Sequence, residues 1–189
     1  MTYEERMDEV LEINMSERGF SLWKALKQKL PEIWEKSSSS TGKYHKKHDG
    51  SVPSIIIHTY EMLSAGIKLF RMLNIKKNTT DADTLLLGIV LHDSLKYGLD
   101  GNLLHTTREH DRLIGDLIKA NKATFLKLLN EDQFTILEEG VRYHSGRWSS
   151  DVDKNKPFDF KDYNPIAVFI HTLDMLSTAD RLRTNFKET

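Results

Sequence analysis

Apolar residues recur along this chain at the three- and four-residue spacing of helices, and no segment of weight shows the alternation of a half-buried strand. Tyr3, Met7, Val10, Leu11 and Ile13 predict a short amphipathic helix over Thr2 to Asn14, with Gly19 ending that region. Ser21 is placed to cap a second helix carrying Leu22, Trp23, Leu26 and Leu30, which Pro31 breaks before Ile33 and Trp34. Ser51 and Pro53 form a start signal for a third, whose stripe runs through Ile57, Met62, Ala65, Leu69 and Met72. A fourth runs from Ala82 to Tyr97 and ends near Gly98. Thr106 or Thr107 caps a helix with Leu113, Ile114, Leu117 and Ile118 buried, and a short helical piece follows at Phe125 to Leu129. Phe134, Leu137, Val141 and His144 share one face of the next helix. Asn164 and Pro165 open the last, with Ile166, Phe169, Ile170, Leu173 and Leu176 facing the core and Asp180 falling on the same face. The pattern predicts an all-α fold, one compact domain of about six or seven helices.

The fourth helix organises the rest. Leu85, Leu86, Leu87, Ile89, Val90 and Leu91 are apolar around most of its circumference, so it should run through the core. His92 and Asp93 come at the end of that buried run, with Lys96 one turn further on. A carboxylate and an imidazole are costly to bury alone, so either Asp93 pairs with Lys96 and His92 is a hydrogen-bonded core residue, or a cation compensates both.

Composition narrows the chemistry. The 189 residues are 39% hydrophobic and 29% charged, enough for one well-buried domain, with residues 1–36 expected as helices packed on a core formed by residues 37–189. A formal charge of −1 provides no general attraction to nucleic acid. There is no cysteine, which leaves His, Asp and Glu as the strong metal ligands and removes thiolate zinc sites. The acidic opening MTYEERMDEVLEIN is unlike a signal peptide and no apolar run reaches membrane length, so a cytoplasmic location is expected.

Two irregular stretches interrupt the helices. KSSSSTGKYHKKHDGSV is either a solvated linker or a lid with hydroxyl and ammonium donors for phosphoryl oxygens, and Lys43, Tyr44 and His45 are its candidate substrate contacts. HSGRWSSDVDKNKPFDFKDYNP is long for a connection inside a compact domain and begins with Arg147 and Trp148, candidates for a phosphate contact and a base-stacking contact.

His58, His92, Asp93, His110, His144 and Asp180 are all predicted on or at the end of helices beside an apolar stripe. Six such residues on five helices would need six buried hydrogen-bonding solutions, whereas a shared metal centre answers all of them. His171, nine residues before Asp180 and half a turn away on the same helix, is not expected to face that site. In order and setting these residues resemble the HD superfamily of metal-dependent phosphohydrolases, over about Lys43 to Arg183. The resemblance implies one ion held by His58, His92, Asp93 and Asp180, a second by His110 and His144 with Asp93 bridging, and Lys96 on substrate phosphate. The segment before His58 is similar to that of the HD domains of bacterial 3′-to-5′ exoribonucleases, with Asp49, Gly50 and Ser51 where those carry a Gly-Gly pair, and Tyr143, His144 and Gly146 resemble HD-type diadenosine tetraphosphate hydrolases.

An all His and carboxylate donor set suits Mn, Fe, Mg, Co or Ni, and a pair of such ions can clamp a phosphoryl group and activate water. The expected activity is hydrolysis of a phosphoester in a small nucleotide or short oligonucleotide, with Asp93 and Lys96 in the catalytic machinery. The alternatives are a non-catalytic HD domain that binds a nucleotide and signals to a partner, or exonuclease-like action on single strands.

Overall fold

The structure is a computed structural model that describes residues 1–39, 51–70, 72–153, 155 and 159–178. These form eight α-helices: α1 (Tyr3–Asn14), α2 (Glu17–Lys27), α3 (Ile55–Phe70), α4 (Thr80–Leu91), α5 (His110–Ala120), α6 (Lys122–Phe125), α7 (Glu131–Arg142) and α8 (Pro165–Thr178). Among the described residues there is no strand, only a lone antiparallel bridge between Ser37 and Ser54. The fold is all-α, and no described helix is long and apolar enough to cross a membrane.

Every residue of α4 from Ala82 to Leu91 is buried, and α1, α2, α3, α7 and α8 pack around it. A helix without a polar face has no alternative to the centre of the bundle. At Gly88 an added Cβ would lie 2.8 Å from the Ile170 side chain, so the missing side chain lets α8 approach the axis.

Local chemistry moves several boundaries from their sequence positions. Ser16, not Ser21, caps α2, and Gly19 lies inside that helix instead of ending the first. The cause is Asp83 of α4, fully buried, whose two carboxylate oxygens accept from the Ser16 backbone N–H at 2.8 Å and from its hydroxyl at 2.6 Å. Ser51 does not cap α3. Its first amides donate elsewhere, Ile55 to the Lys36 carbonyl and Ile56 to that of Trp34. The organising helix stops at Leu91 instead of reaching Tyr97, because the Ser94 hydroxyl takes the Leu91 carbonyl at 2.8 Å and the chain continues in turns. Met72 and Leu176, placed on core stripes by their spacing, are 80% and 38% exposed.

The Ser16–Asp83 contact makes two expectations. A Cβ on Gly19 would fall 2.4 Å from the Asp83 carboxylate, so Gly19→Ala should lower stability by about 1–3 kcal/mol in urea unfolding despite the better helix propensity of alanine. Burial pushes the Asp83 carboxyl above its ordinary value against the opposing hydrogen bonds from Ser16. A native state that holds the proton more tightly than the unfolded chain is favoured at low pH and loses that contribution as pH rises through the raised pKa. The stability of the wild type relative to Asp83→Asn should therefore fall as pH rises from the ordinary carboxylate range through the raised pKa, and a difference that grows with pH would contradict this.

Candidate metal centre

The end of α4 delivers His92 and Asp93 into the core, at 0% and 2% exposure. His58, in the first turn of α3, is fully buried beside them, and its Nε2 lies 3.3 Å from His92 Nε2. His110 is the first residue of α5, and His144 lies two residues past the end of α7; their Nε2 atoms are 3.2 Å apart. Asp93 sits between the two pairs and divides its oxygens between them. Oδ2 is 3.7 Å from His58 Nε2 and 3.5 Å from His92 Nε2, while Oδ1 is 3.2 Å from His110 Nε2 and 3.9 Å from His144 Nε2. The result is two adjoining groups of converging ligand atoms, His58, His92 and Asp93 in one and Asp93, His110 and His144 in the other.

The outer ring nitrogens decide what the inner ones present. His92, His110 and His144 each set Nδ1 against the carbonyl three residues earlier, of Ile89, Thr107 and Val141, at 2.6, 3.0 and 2.6 Å. A carbonyl only accepts, so each Nδ1 carries the hydrogen. His58 Nδ1 is 3.1 Å from the Ser177 hydroxyl, whose own hydrogen goes to the Asp174 carbonyl at 2.7 Å, so here too Nδ1 donates. In its neutral form each imidazole therefore turns an Nε2 lone pair inward, the tautomer that metal-binding histidines adopt when the second nitrogen is fixed by a hydrogen bond.

Opposed lone pairs 3.2 to 3.3 Å apart repel unless a cation or proton lies among them. With metal–nitrogen bonds of about 2.0–2.1 Å, these separations would correspond to an angle of about 100–110° at an ion shared by each pair, close to the tetrahedral value. The donors are nitrogen and oxygen alone, the set that suits hard or borderline divalent ions. The residues fit a cation in each group.

The charges of Asp93 and His144 point the same way. Burial opposes ionisation of Asp93, but Lys96 and His92 hold its carboxyl well below the usual carboxylate range. Lys96 Nζ contacts Asp93 Oδ2 at 2.5 Å. Burial together with the neighbouring His110 and His92 lowers the His144 pKa to about 3, which keeps that ring neutral. Burial works against the imidazolium of His92 too, yet Asp93 raises its pKa above the ordinary value. An anionic Asp93 beside a neutral His144 ring is the protonation state a ligand set needs, whereas the proton that Asp93 favours on His92 would have to leave when an ion binds.

Of the six metal residues expected from sequence, five come together. Asp180 lies outside the described residues, as do Lys43, Tyr44 and His45. Among the described residues α8 brings a further carboxylate to the centre, Asp174, missed in the sequence, with Oδ1 3.2 Å from His58 Nε2. The signal was its position four residues past Ile170, which is fully buried. Arg147 and Trp148 fall in a 3₁₀ turn, Gly146–Trp148, with Trp148 63% exposed. That segment reaches the centre through Ser145, whose Oγ is 3.4 Å from His144 Nε2. His171 is not in either ligand group, but its Nδ1 is 2.8 Å from the His144 carbonyl, a contact that its predicted facing did not suggest.

The chain matches no family model, no curated protein and no solved structure. The fold and the site together define an all-helical protein with a buried His and Asp cluster compatible with an HD-like metal centre.

Metal analysis of protein purified without chelator should find close to two divalent ions per chain. Asp93→Ala should lose both, His58→Ala mainly one, and Asp174→Asn should weaken that same ion by more than about tenfold. The same substitution at Asp180 tests the sequence expectation directly. An Asp93→Ala variant with wild-type metal content would contradict the bridging geometry.

Proposed function

We propose that this protein is a metal-dependent phosphohydrolase of the HD type that cleaves a phosphoester in a small nucleotide or short oligonucleotide. The observation that carries the reading is the division of the Asp93 carboxylate between two pairs of inward-facing imidazoles. Divalent ions bound there would supply Lewis-acid polarisation of a phosphoryl group and activation of water. The chain's own residues do the rest. The four Nδ1 hydrogen bonds hold the rings in register, so the ligand set is organised before substrate arrives. Lys96, only 12% exposed, places an ammonium beside the bridging carboxylate, where it can neutralise a phosphoryl oxygen. Asp93 and Lys96 are accordingly the catalytic residues of this proposal.

The preference for a small substrate comes from charge. Lys and Arg number 27 against 28 Asp and Glu, which is not the excess of distributed cations that a long polyanion requires. Arg147 and Trp148, on the segment that leads away from His144, are the proposed phosphate and base contacts.

The test is a panel of nucleoside mono-, di- and triphosphates, cyclic nucleotides, dinucleoside polyphosphates and single-stranded RNA and DNA, assayed with added Mn or Co by product chromatography. Hydrolysis of a small nucleotide is expected. Processive degradation of long strands with every nucleotide left intact would move the reading to an exonuclease, and tight binding without turnover would move it to a nucleotide sensor. Lys96→Ala should keep its ions and lose more than tenfold in turnover, since a hydrogen bond to a charged group contributes about 1.5–3 kcal/mol. Loss of the ions in that variant would make Lys96 a structural partner of Asp93.

A further inference from the structure

His144 differs from the other three histidines in its backbone support. His58 lies within α3, His92 caps α4 and His110 begins α5, but His144 lies beyond the last residue of α7, and its amide reaches the Val141 carbonyl only at 3.4 Å. The tie on its other side comes from a different helix. His171 of α8 has Nδ1 2.8 Å from the His144 carbonyl oxygen, and since a carbonyl can only accept, His171 donates.

α8 is well placed to act as a reference. Its rotation is set by Ile170 and Leu173, at 0% and 1% exposure, against the core. His171, Asp174 and Ser177 follow one another at three-residue steps along the adjoining face. Asp174 and Ser177 meet the two ring nitrogens of His58 at 3.2 and 3.1 Å, in one half of the centre, and His171 meets the backbone of His144 in the other. One rigid element thus registers both halves.

We infer that His171 is a positioning residue, whose hydrogen bond from α8 to the His144 carbonyl holds the His110–His144 half of the centre in binding geometry. The inference rests on the metal-centre reading above. Loss of the donor acts on the turn that carries His144 and leaves the His58–His92 half in place.

The experiment is a titration of chelator-stripped protein with Mn(II), read by bound-ion stoichiometry and by the spin-coupled resonance of a two-ion centre, on wild type, His171→Ala, His171→Leu and His171→Asn. Asparagine can set an N–H where His171 has Nδ1, whereas leucine fills the space without a donor. We expect wild type and His171→Asn to take up two coupled ions. His171→Ala and His171→Leu should keep the first ion and bind the second about 10–100-fold more weakly, the usual cost of removing an outer hydrogen bond from a metal ligand. Leucine restoring the second ion as well as asparagine does would make the contact one of packing and overturn the inference, as would equal weakening of both ions or full uptake by all three variants. Wild type that takes up no ion overturns the metal centre itself, and this inference with it; wild-type uptake beside variants that match it overturns the inference alone.

Discussion

The buried carboxylate of Asp93 is the constraint on which the rest of this structure depends. A charge at 2% exposure needs partners, and those present are of two kinds. Lys96 supplies a full positive charge on one oxygen. Four imidazoles surround both oxygens, but their N–H groups point away, toward Ile89, Thr107, Val141 and Ser177. A purely structural solution would have turned those hydrogens toward the carboxylate, because a buried anion is stabilised by donors and not by lone pairs. The outward tautomers make the cavity rich in lone pairs, and among the described residues Lys96 is the cation in contact with the carboxylate. A cation in each group would relieve that crowding.

The fold follows from the need to bring these groups together without opening the core to water. α4 is buried on every side from Ala82 to Leu91, with the Asp83 carboxylate satisfied by Ser16, so whatever follows it emerges in the interior. Each of α3, α5, α7 and α8 then contributes a polar group from a position next to its own buried stripe. The cost of burying those groups is met in part by local hydrogen bonds, three of which close over only three residues and so require little tertiary organisation.

Much of this was legible in the sequence because burial and chemistry share a periodicity. His58, His92, Asp93, His110 and His144 could be picked out by their spacing from Leu and Ile, and the all-α class by the same spacing. Asp174 on α8 was not, for a physical reason. It lies four residues past the fully buried Ile170, but the stripe was also read through Leu176, which is 38% exposed. A helix whose residues are apolar on both sides carries no internal mark of its rotation. Side chains that capture backbone groups were the other source of error. Ser16 bound to Asp83 moved the start of α2, and Ser94 bound to the Leu91 carbonyl cut α4 short. Such bonds join residues by identity and geometry, and leave no periodic trace.

The surroundings of the centre show how far its rigidity extends. Two ligands have a neighbour in sequence that anchors the segment beyond His144. Asp111, next to His110 and fully buried, accepts from the Ser150 amide at 3.0 Å and from its hydroxyl at 2.7 Å. Arg142, two residues before His144, reaches Asp116, Glu138 and Asp151, and Gly115 leaves room for its guanidinium against α5. These pairs do not contribute equally. Asp116 is 58% exposed and its pair is weakened by solvent, whereas Glu138, at 10%, shares a largely dry environment with the guanidinium. The stretch from Ser145 to Asp151 is therefore held at its far end by the same helices that hold the ligands at its near end. Trp148 stands exposed on that tethered stretch, between Ser145, which touches His144, and Ser150, which is bound to Asp111. An aromatic ring on a segment fixed at both ends keeps a defined place relative to the centre at little further cost in conformational entropy.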